Sequence, residues 1–186
     1  MGCTPNEEHP TLFFSRMKKQ TIIFAILLLC SLVTFGEGRY SVQSLPQGNM
    51  YFFMPCKLKR AAGNKLQYDM TILSYRDSVT INMTLTSPMG RVKSVRLSSG
   101  DVSYITTQYE LFYQEHKGSR FNTRVHIDCP TSTFTQLFAS PVPLNIELTM
   151  EDGKQYSFTY KPKKWKEDSR YVMEVMEIIA YANSRR

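Results

Sequence analysis

The feature that most constrains the fold is the alternation of apolar and polar residues in several short runs. Leu66 to Ile72 and Val79 to Leu85 both alternate, and the polar stretch from Tyr75 to Ser78 separates them. A period of two places the apolar side chains on one face of a strand, so these runs predict an antiparallel hairpin with one buried face. The same pattern recurs in three later runs, Phe121 to Ile127, Leu144 to Met150 and Tyr156 to Tyr160. The chain is therefore predicted to consist mainly of antiparallel sheet.

Turn residues between the runs indicate how the strands pair. Asp152-Gly153 is a tight-turn pair between the last two runs, and His116 to Ser119 joins the Tyr109–Tyr113 run to the run that starts at Phe121. Met50 to Met54 is interpreted as a fully buried or edge strand that ends at Pro55. From Arg91 to Leu97 the alternation of apolar and polar residues is irregular, which indicates a β-bulge or an edge strand. The expected fold class is mainly β, an antiparallel β-sandwich or partly open barrel of seven to eight strands.

Two helices are expected to interrupt the β pattern. From Ser132 to Ala139, Thr133 and Gln136 have the spacing of a capping box, and three aromatic or aliphatic residues repeat with helical spacing, namely Phe134, Leu137 and Phe138. At the C-terminus, Asp168 or Ser169 is the expected cap of an amphipathic helix whose apolar stripe is Val172, Val175, Met176, Ile179 and Ala182.

The N-terminal segment has the layout of a secretory signal peptide. Lys18 and Lys19 precede an uncharged apolar run from Thr21 to Phe35, and small residues such as Gly36 and Gly38 follow it. The run is shorter than the roughly 18 to 20 residues of a spanning helix, which favours a cleaved signal over an anchor. We therefore divide the chain into an N-terminal extension plus signal peptide (1–38), with Met17 as the alternative start, and one exported β-rich domain (39–186).

Two alternatives for this segment remain open. One is a bacterial lipoprotein in which Cys30 is lipidated, because Leu27 and Cys30 have the Leu-x-x-Cys spacing, although Leu29 stands where a small residue is usual. The other is an uncleaved anchor whose N-terminus is held inside the cell by basic residues. Each of these readings places the domain outside the cytoplasm, and the periplasm or surface of a bacterial cell is the expected location.

The cysteine count predicts one disulfide. Cys3 and Cys30 lie in the N-terminal segment, so the exported domain holds only Cys56 and Cys129. A single pair of cysteines in an exported domain most simply forms a bridge, and a loop of this length would contribute about 4 kcal/mol in the chain-entropy model. The alternative is two free buried thiols.

The chain carries a net charge of +7, with 42% hydrophobic and 21% charged residues. This composition excludes wholesale disorder, collagen and a polytopic membrane protein. The charge belongs to the domain, because residues 1–38 hold three basic and three acidic residues.

Near the C-terminus, four lysines surround the only tryptophan, in the order Lys161, Lys163, Lys164, Trp165 and Lys166. This basic segment predicts contact with anionic lipid, acidic glycan or an acidic protein surface, and its alternative is a connection whose Trp165 closes one end of the sheets.

Catalytic patterns are sparse. His116, His126 and Cys129 are the weak candidates for a Cys/His hydrolase, but adjacent residues on a strand point to opposite faces, which separates Cys129 from His126 and Asp128. No cofactor, metal or nucleic-acid partner is predicted. The sequence favours an exported cell-envelope protein of binding or structural role. The alternatives are the hydrolase and a subunit of a surface assembly that pairs through an edge strand such as Met50 to Met54.

Overall fold

The computed structural model describes residues 38–59, 64–88 and 90–185, all of which belong to one compact unit, Gly36–Arg186. Its elements in chain order are β1 (Tyr40–Leu45), β2 (Gly48–Lys59), β3 (Lys65–Leu73), β4 (Ser78–Ser87), β5 (Val92–Ser99), β6 (Val102–Thr106), β7 (Glu110–Lys117), β8 (Arg120–Pro130), α1 (Thr131–Ala139), β9 (Asn145–Met150), β10 (Gln155–Thr159) and α2 (Pro162–Asn183). The predicted signal peptide, the alternative start at Met17 and the alternatives at Cys30 lie outside the described residues.

The strands form two antiparallel sheets. The six-stranded sheet has the order β1-β2-β3-β4-β8-β7, and the four-stranded sheet has the order β10-β9-β5-β6. Every neighbouring pair in both sheets is antiparallel. The mainly β prediction is confirmed at this level: the described chain has two antiparallel sheets and two helices.

Strand β4 shows why the alternating runs become strands. Its apolar residues Val79, Ile81, Met83 and Leu85 are at most 2% exposed, whereas the residues between them are half-buried. Strand β3 pairs with β4 as the sequence predicts, with Ile72 opposite Val79. The hairpins β7–β8 and β9–β10 are also confirmed, and their turns contain Gly118 and Gly153 at positive φ.

The buried faces of both sheets and of both helices contribute to one hydrophobic core. The six-stranded sheet supplies Leu66, Met83 and Ile127, the four-stranded sheet supplies Leu97, Ile146 and Leu148, and the helices supply Phe134, Leu137, Trp165 and Val175. Burial of each such side chain is worth roughly 1.5–3 kcal/mol relative to exposure. The helices are therefore held in place by the same core as the sheets.

The strands differ from the prediction in number and position. The described residues form ten strands, and the two that alternation missed are β1 and β6, which are edge strands without a fully buried residue. Met50 to Met54 belongs to β2, which lies inside its sheet between β1 and β3 and continues through Pro55 to Lys59. Strand β5 contains the expected irregularity, a register shift between Val92 and Ser94, but it also lies inside its sheet.

Both predicted helix caps are wrong. Helix α1 follows β8 directly after Pro130 with no side-chain cap, so Thr133 and Gln136 do not form a capping box, although Phe134, Leu137 and Phe138 are buried as expected. Helix α2 begins at Pro162, ahead of Asp168 and Ser169, because proline fits the first turn of a helix, where its missing N–H has no partner to lose. Ala182, expected in the apolar stripe, is exposed.

The predicted disulfide is not formed in this structure. Cys56 and Cys129 are both free, buried thiols. Cys56 lies on β2 and Cys129 on β8, with β3 and β4 between them in the same sheet. Three strand spacings of about 4.8 Å place the two backbones roughly 14 Å apart, about twice the Cα–Cα limit for a bridge.

Within the described part of the chain, no helix is both long enough and apolar enough to cross a membrane.

Candidate functional site

A cavity of about 230 Å³ lies where β2, β3 and α2 meet. One part of its wall is apolar and is formed by Phe53, Met54, Pro55, Met70 and Val172. The other part holds polar and titratable side chains, namely Arg39, Cys56, Tyr68, Tyr160, Lys164 and Asp168. An apolar pocket into which several polar groups converge is the usual form of a small-molecule site.

The Cys56 side chain reaches this cavity because of an irregularity in β2. The register with β3 shifts between Phe53 and Cys56, and Pro55, which has no backbone N–H to donate, lies within the shift. Before the shift the buried residues of β2 are Tyr51 and Phe53, and after it they are Cys56 and Leu58. The extra residue therefore turns Cys56 to the buried side, where a regular strand would expose it.

Lys164 meets Cys56 across the cavity. Its Nζ lies 3.1 Å from Cys56 Sγ and 6.0 Å from the centre of the Tyr160 ring. Lys164 is in the first turn of α2 and is half-buried, and no carboxylate oxygen in the described residues lies within 4.0 Å of its Nζ. The cavity thus contains a cation whose direct partners are a sulfur and an aromatic face.

Two tyrosine hydroxyls form the floor of the site. Tyr68 on β3 and Tyr160 after β10 are in hydroxyl–hydroxyl contact, and their rings meet edge to face at 6.1 Å. Burial raises the pKa of Tyr68 well above its ordinary value, and the nearby Cys56 adds to the rise. Burial and the neighbouring Tyr68 raise the pKa of Tyr160 in the same direction. Both hydroxyls therefore stay protonated and act as hydrogen-bond donors and acceptors.

An ion pair closes the opposite side of the cavity. Arg39 Nη1 lies 2.5 Å from Asp168 Oδ1, and Arg39 Nη2 lies 3.2 Å from Glu167 Oε2. Burial raises the pKa of the Asp168 carboxyl, and the positive charges of Arg39 and, more weakly, Lys164 oppose that rise. Arg39 is thus engaged directly by two acidic residues, whereas Lys164 attracts Asp168 only over a longer distance and forms no ion pair within 4.0 Å in the described residues.

The arrangement has two chemical capacities. Lys164 can neutralise an anionic group against the apolar wall, and the Cys56 thiol is a nucleophilic group that lines the cavity in contact with an amine. The cavity wall contains no histidine. The described residues contain no cluster of three or more His, Cys, Asp or Glu side chains suited to a metal ion.

Cys129, the nucleophile of the predicted hydrolase, is fully buried in the core. Burial raises the pKa of its thiol to about 12, so almost none of it is thiolate at neutral pH. The hydrolase alternative stays a prediction, but the burial of Cys129 weighs against it as the nucleophile, because β8 directs this side chain into the core.

His116 and His126 do not come together. His126 and Asp128 share a face of β8, as predicted, with Nε2 and Oδ2 4.0 Å apart. His116 lies at the far end of the β7–β8 hairpin, where its ring contacts Phe121 at 4.6 Å. Phe121 and His126 are five residues apart on one strand, a separation of roughly 17 Å. His116 therefore cannot act together with His126.

The structure separates the residues of the predicted basic segment. Lys161, Lys163 and Lys166 are exposed, whereas Lys164 faces the cavity. Trp165 is 2% exposed, its Nε1–H donates to the Ser140 carbonyl oxygen at 3.1 Å, and its ring contacts Phe138 and Tyr160. Trp165 is therefore a core residue of α2, and a contact of this surface with an anionic partner would rest on the three exposed lysines.

Sequence reasoning missed the cavity as a site. It assigned Cys56 to a disulfide and Lys164 to an exposed basic segment. One local signal was present: Pro55 directly before Cys56 in a run of strand-forming residues indicates a bulge, and bulges often redirect a side chain. The contact itself joins positions 108 residues apart, which no local pattern reveals.

A larger groove of about 590 Å³ lies between α1, α2 and the β3–β4 turn. Its charged residues, Arg76, Asp77 and Glu177, are exposed, so it lacks the buried titratable groups of the Cys56 cavity. Buried titratable groups in a cleft are the stronger indicator of function.

Comparisons with protein-family models, with curated proteins and with solved structures found no match to this chain.

Proposed function

We propose that this protein binds a small molecule in the Cys56 cavity, with an anionic group, most simply a carboxylate, against Lys164 and an apolar body against Phe53, Met70 and Val172. The observation that carries the proposal is the half-buried Lys164 ammonium, which lies in an apolar cavity with no carboxylate within 4.0 Å. A cation taken out of water is costly unless an anion or good donor–acceptor partners accompany it. Asp168 attracts the Lys164 ammonium only from beyond 4.0 Å, so a ligand anion would supply the direct partner.

The size of the cavity restricts the ligand. Its volume of about 230 Å³ lies below the roughly 300 Å³ at which pockets for drug-sized molecules begin. The cavity therefore suits a short-chain carboxylate or the charged end of a longer one. The hydroxyls of Tyr68 and Tyr160 stay protonated and line the same cavity, and we propose that one of them donates a hydrogen bond to the anion.

The proposed ligand class is tested by calorimetric titration with straight-chain carboxylates of increasing length and with the alcohols of the same length. The expected result is binding of the carboxylates, which strengthens with chain length until the cavity is full, and much weaker binding of the alcohols. Equal affinity for acid and alcohol would contradict a role for Lys164, and affinity independent of chain length would contradict a role for the apolar wall.

We further propose that the protein works outside the cytoplasm, at a bacterial cell envelope. The signal-peptide pattern before residue 39 and the net charge of the domain support this location. The exposed lysines Lys161, Lys163 and Lys166 are the proposed contact with an anionic lipid, acidic glycan or acidic protein. Replacing all three with glutamine is expected to weaken retention on heparin and on anionic vesicles, and unchanged retention would contradict the contact.

For the fold, we propose the sandwich over the barrel. The two sheets are separate hydrogen-bonded ladders, and β1, β7, β6 and β10 are the edge strands of the described ladders. A barrel, even a partly open one, curls one sheet around on itself, whereas two separate sheets that bury their faces in one core are the arrangement of a sandwich.

A second candidate function, a subunit of an assembly, is favoured by strand β7. All eight residues of β7 are exposed, including Leu111, Phe112 and Tyr113, and β7 is an edge of the six-stranded sheet. An exposed apolar edge is a template for pairing with another strand. We therefore propose β7 as the strand that makes the edge pairing, because Met50 to Met54 lies inside the sheet. Sedimentation over a range of concentrations tests it: Phe112→Lys should abolish any oligomer, and a wild-type monomer at all concentrations would exclude self-assembly.

A further inference from the structure

We propose that Cys56 and Lys164 form an oxidative modification site, in which a peroxide oxidises the Cys56 sulfur and the Lys164 amine then bonds to it as a sulfenamide. The inference concerns only the side chains of the cavity, and it holds whether or not the cavity binds a ligand.

The geometry brings the two reacting atoms together before any reaction. Lys164 Nζ lies 3.1 Å from Cys56 Sγ. Cys56 is fixed on β2, which is hydrogen-bonded to β1 and β3 on its two sides, whereas Nζ lies at the end of a flexible four-carbon stem. Closing a covalent bond therefore requires a small movement of the lysine and leaves the sheet in place.

The sulfur is accessible to a small oxidant. Cys56 is 8% exposed and lines the cavity of about 230 Å³. A single water needs only about 10–15 Å³ of such space, so a peroxide fits beside the sulfur. Cys129, in contrast, is fully buried. Susceptibility to oxidation follows exposure, and burial also raises the pKa of the Cys129 thiol to about 12, so Cys56 is the cysteine selected for oxidation.

The first step needs only the peroxide and the side chains of Cys56 and Lys164. The Cys56 thiolate attacks one oxygen of hydrogen peroxide, and the O–O bond breaks. The sulfur is oxidised to sulfenic acid, and the departing hydroxide takes a proton from the Lys164 ammonium to become water. Lys164 thus acts first as the acid for the leaving group and is left as a neutral amine with a free electron pair.

In the second step that amine attacks the sulfenic sulfur. An S–N bond forms, the S–O bond breaks, and the hydroxyl leaves as water with a proton from the nitrogen. The sum is one thiol, one amine and one peroxide giving one sulfenamide and two waters, with the peroxide as the only oxidant. Cys129 lies three strands away, so a disulfide does not compete with this closure within the described fold.

The test treats the full chain with hydrogen peroxide and maps its peptides by mass spectrometry, which resolves Cys56 from the other cysteines. The expected product is a cross-linked pair of peptides that contain Cys56 and Lys164, lighter by two hydrogens than the sum of the free peptides. A reducing thiol should return both peptides to their original masses. Sulfinic or sulfonic acid at Cys56 without the cross-link would overturn the proposal.

Matched variants isolate the role of the amine. Lys164→Arg keeps the positive charge but replaces the amine with a poorly nucleophilic guanidinium, so a sulfenic-acid trapping reagent should label Cys56 in this variant and the cross-link should be lost. Lys163→Arg, at the exposed neighbour, should form the cross-link to the wild-type extent. A cross-link that persists in Lys164→Arg, or oxidation of Cys129 as fast as Cys56, would also overturn the proposal. Circular dichroism of each variant checks that it is folded.

Discussion

Lys164 Nζ lies 3.1 Å from Cys56 Sγ, although the two residues are 108 positions apart in the chain. The contact depends on two local events, the register shift in β2 that turns Cys56 inward and the early start of α2 at Pro162 that places Lys164 in its first turn. It combines a thiol and a cation in one cavity and is the basis of both the proposed ligand site and the proposed modification.

The two thiols of the domain are expected to differ in reactivity. Burial raises the pKa of Cys129 from 9.0 to about 12, which lowers its thiolate fraction at neutral pH by about a thousandfold relative to an unperturbed thiol. Alkylation of the native protein, mapped by peptide mass, should label Cys56 and leave Cys129 unmodified until denaturant is added. Equal labelling of both cysteines, or recovery of a peptide pair linked by a disulfide, would contradict the structure.

Trp165 is expected to matter for stability and not for surface contacts. Trp165→Ala removes a side chain that is 2% exposed, together with its hydrogen bond to Ser140, and should cost about 3–5 kcal/mol in the free energy of unfolding. Trp165→Phe keeps most of the volume and should cost less. Denaturant unfolding measures both changes. A loss below about 1 kcal/mol for the alanine variant would show that the ring is not in the core.

Asp168 should give stability an unusual dependence on pH. Burial raises its pKa, so the folded state holds this proton more tightly than the unfolded state. The stabilisation of the folded state that comes from protonated Asp168 is complete below the unfolded pKa near 3.8, and it is lost as the pH rises through the folded pKa. Thermal unfolding from acidic to neutral pH should therefore show a decline with rising pH that Asp168→Asn removes.

Asp152 supplies the matched control for this measurement. Its exposed carboxyl is hydrogen-bonded to Lys154, and these hydrogen bonds lower its pKa. Its contribution to stability has the opposite sign, because it is present above the unfolded pKa and is lost as the pH falls. Asp152→Asn should thus remove a stabilisation that grows as the pH rises, whereas Asp168→Asn removes one that declines as the pH rises. If both variants change the pH dependence of unfolding in the same direction, the raised pKa of Asp168 is contradicted.

The sequence predicted the elements whose alternation is imposed by burial on one face. The alternating pattern predicted β3 and β4 because one face of each strand is buried. In β4, for example, the side chains of Val79, Ile81 and Met83 are all in the core. Strand β1 was missed because an edge strand buries little and so has little need to alternate. The start of α2 was missed because its first turn consists of proline and lysines, which resemble a connecting segment when the burial of Trp165 is unknown.

The candidate site was much less predictable than the sheets. Cys56, Tyr68, Tyr160 and Lys164 come from two strands, the residue after a third strand and a helix, so their proximity is a product of tertiary packing. An exported domain with only two cysteines is generally expected to form a disulfide between them. This expectation assigned Cys56 to a bridge and so hid its place in the cavity. Only the register of the whole sheet shows that Cys56 and Cys129 are too far apart for a bond.

Whether Lys164 is the anion-binding group of the cavity can be measured by comparing two single-charge variants in a calorimetric titration with a short-chain carboxylate. Lys164→Gln should weaken binding by about tenfold or more, equivalent to roughly 1.4 kcal/mol, whereas Lys163→Gln, which removes an exposed charge from the same helical turn, should leave the dissociation constant unchanged. Equal weakening by both variants, or none by Lys164→Gln, would contradict the account.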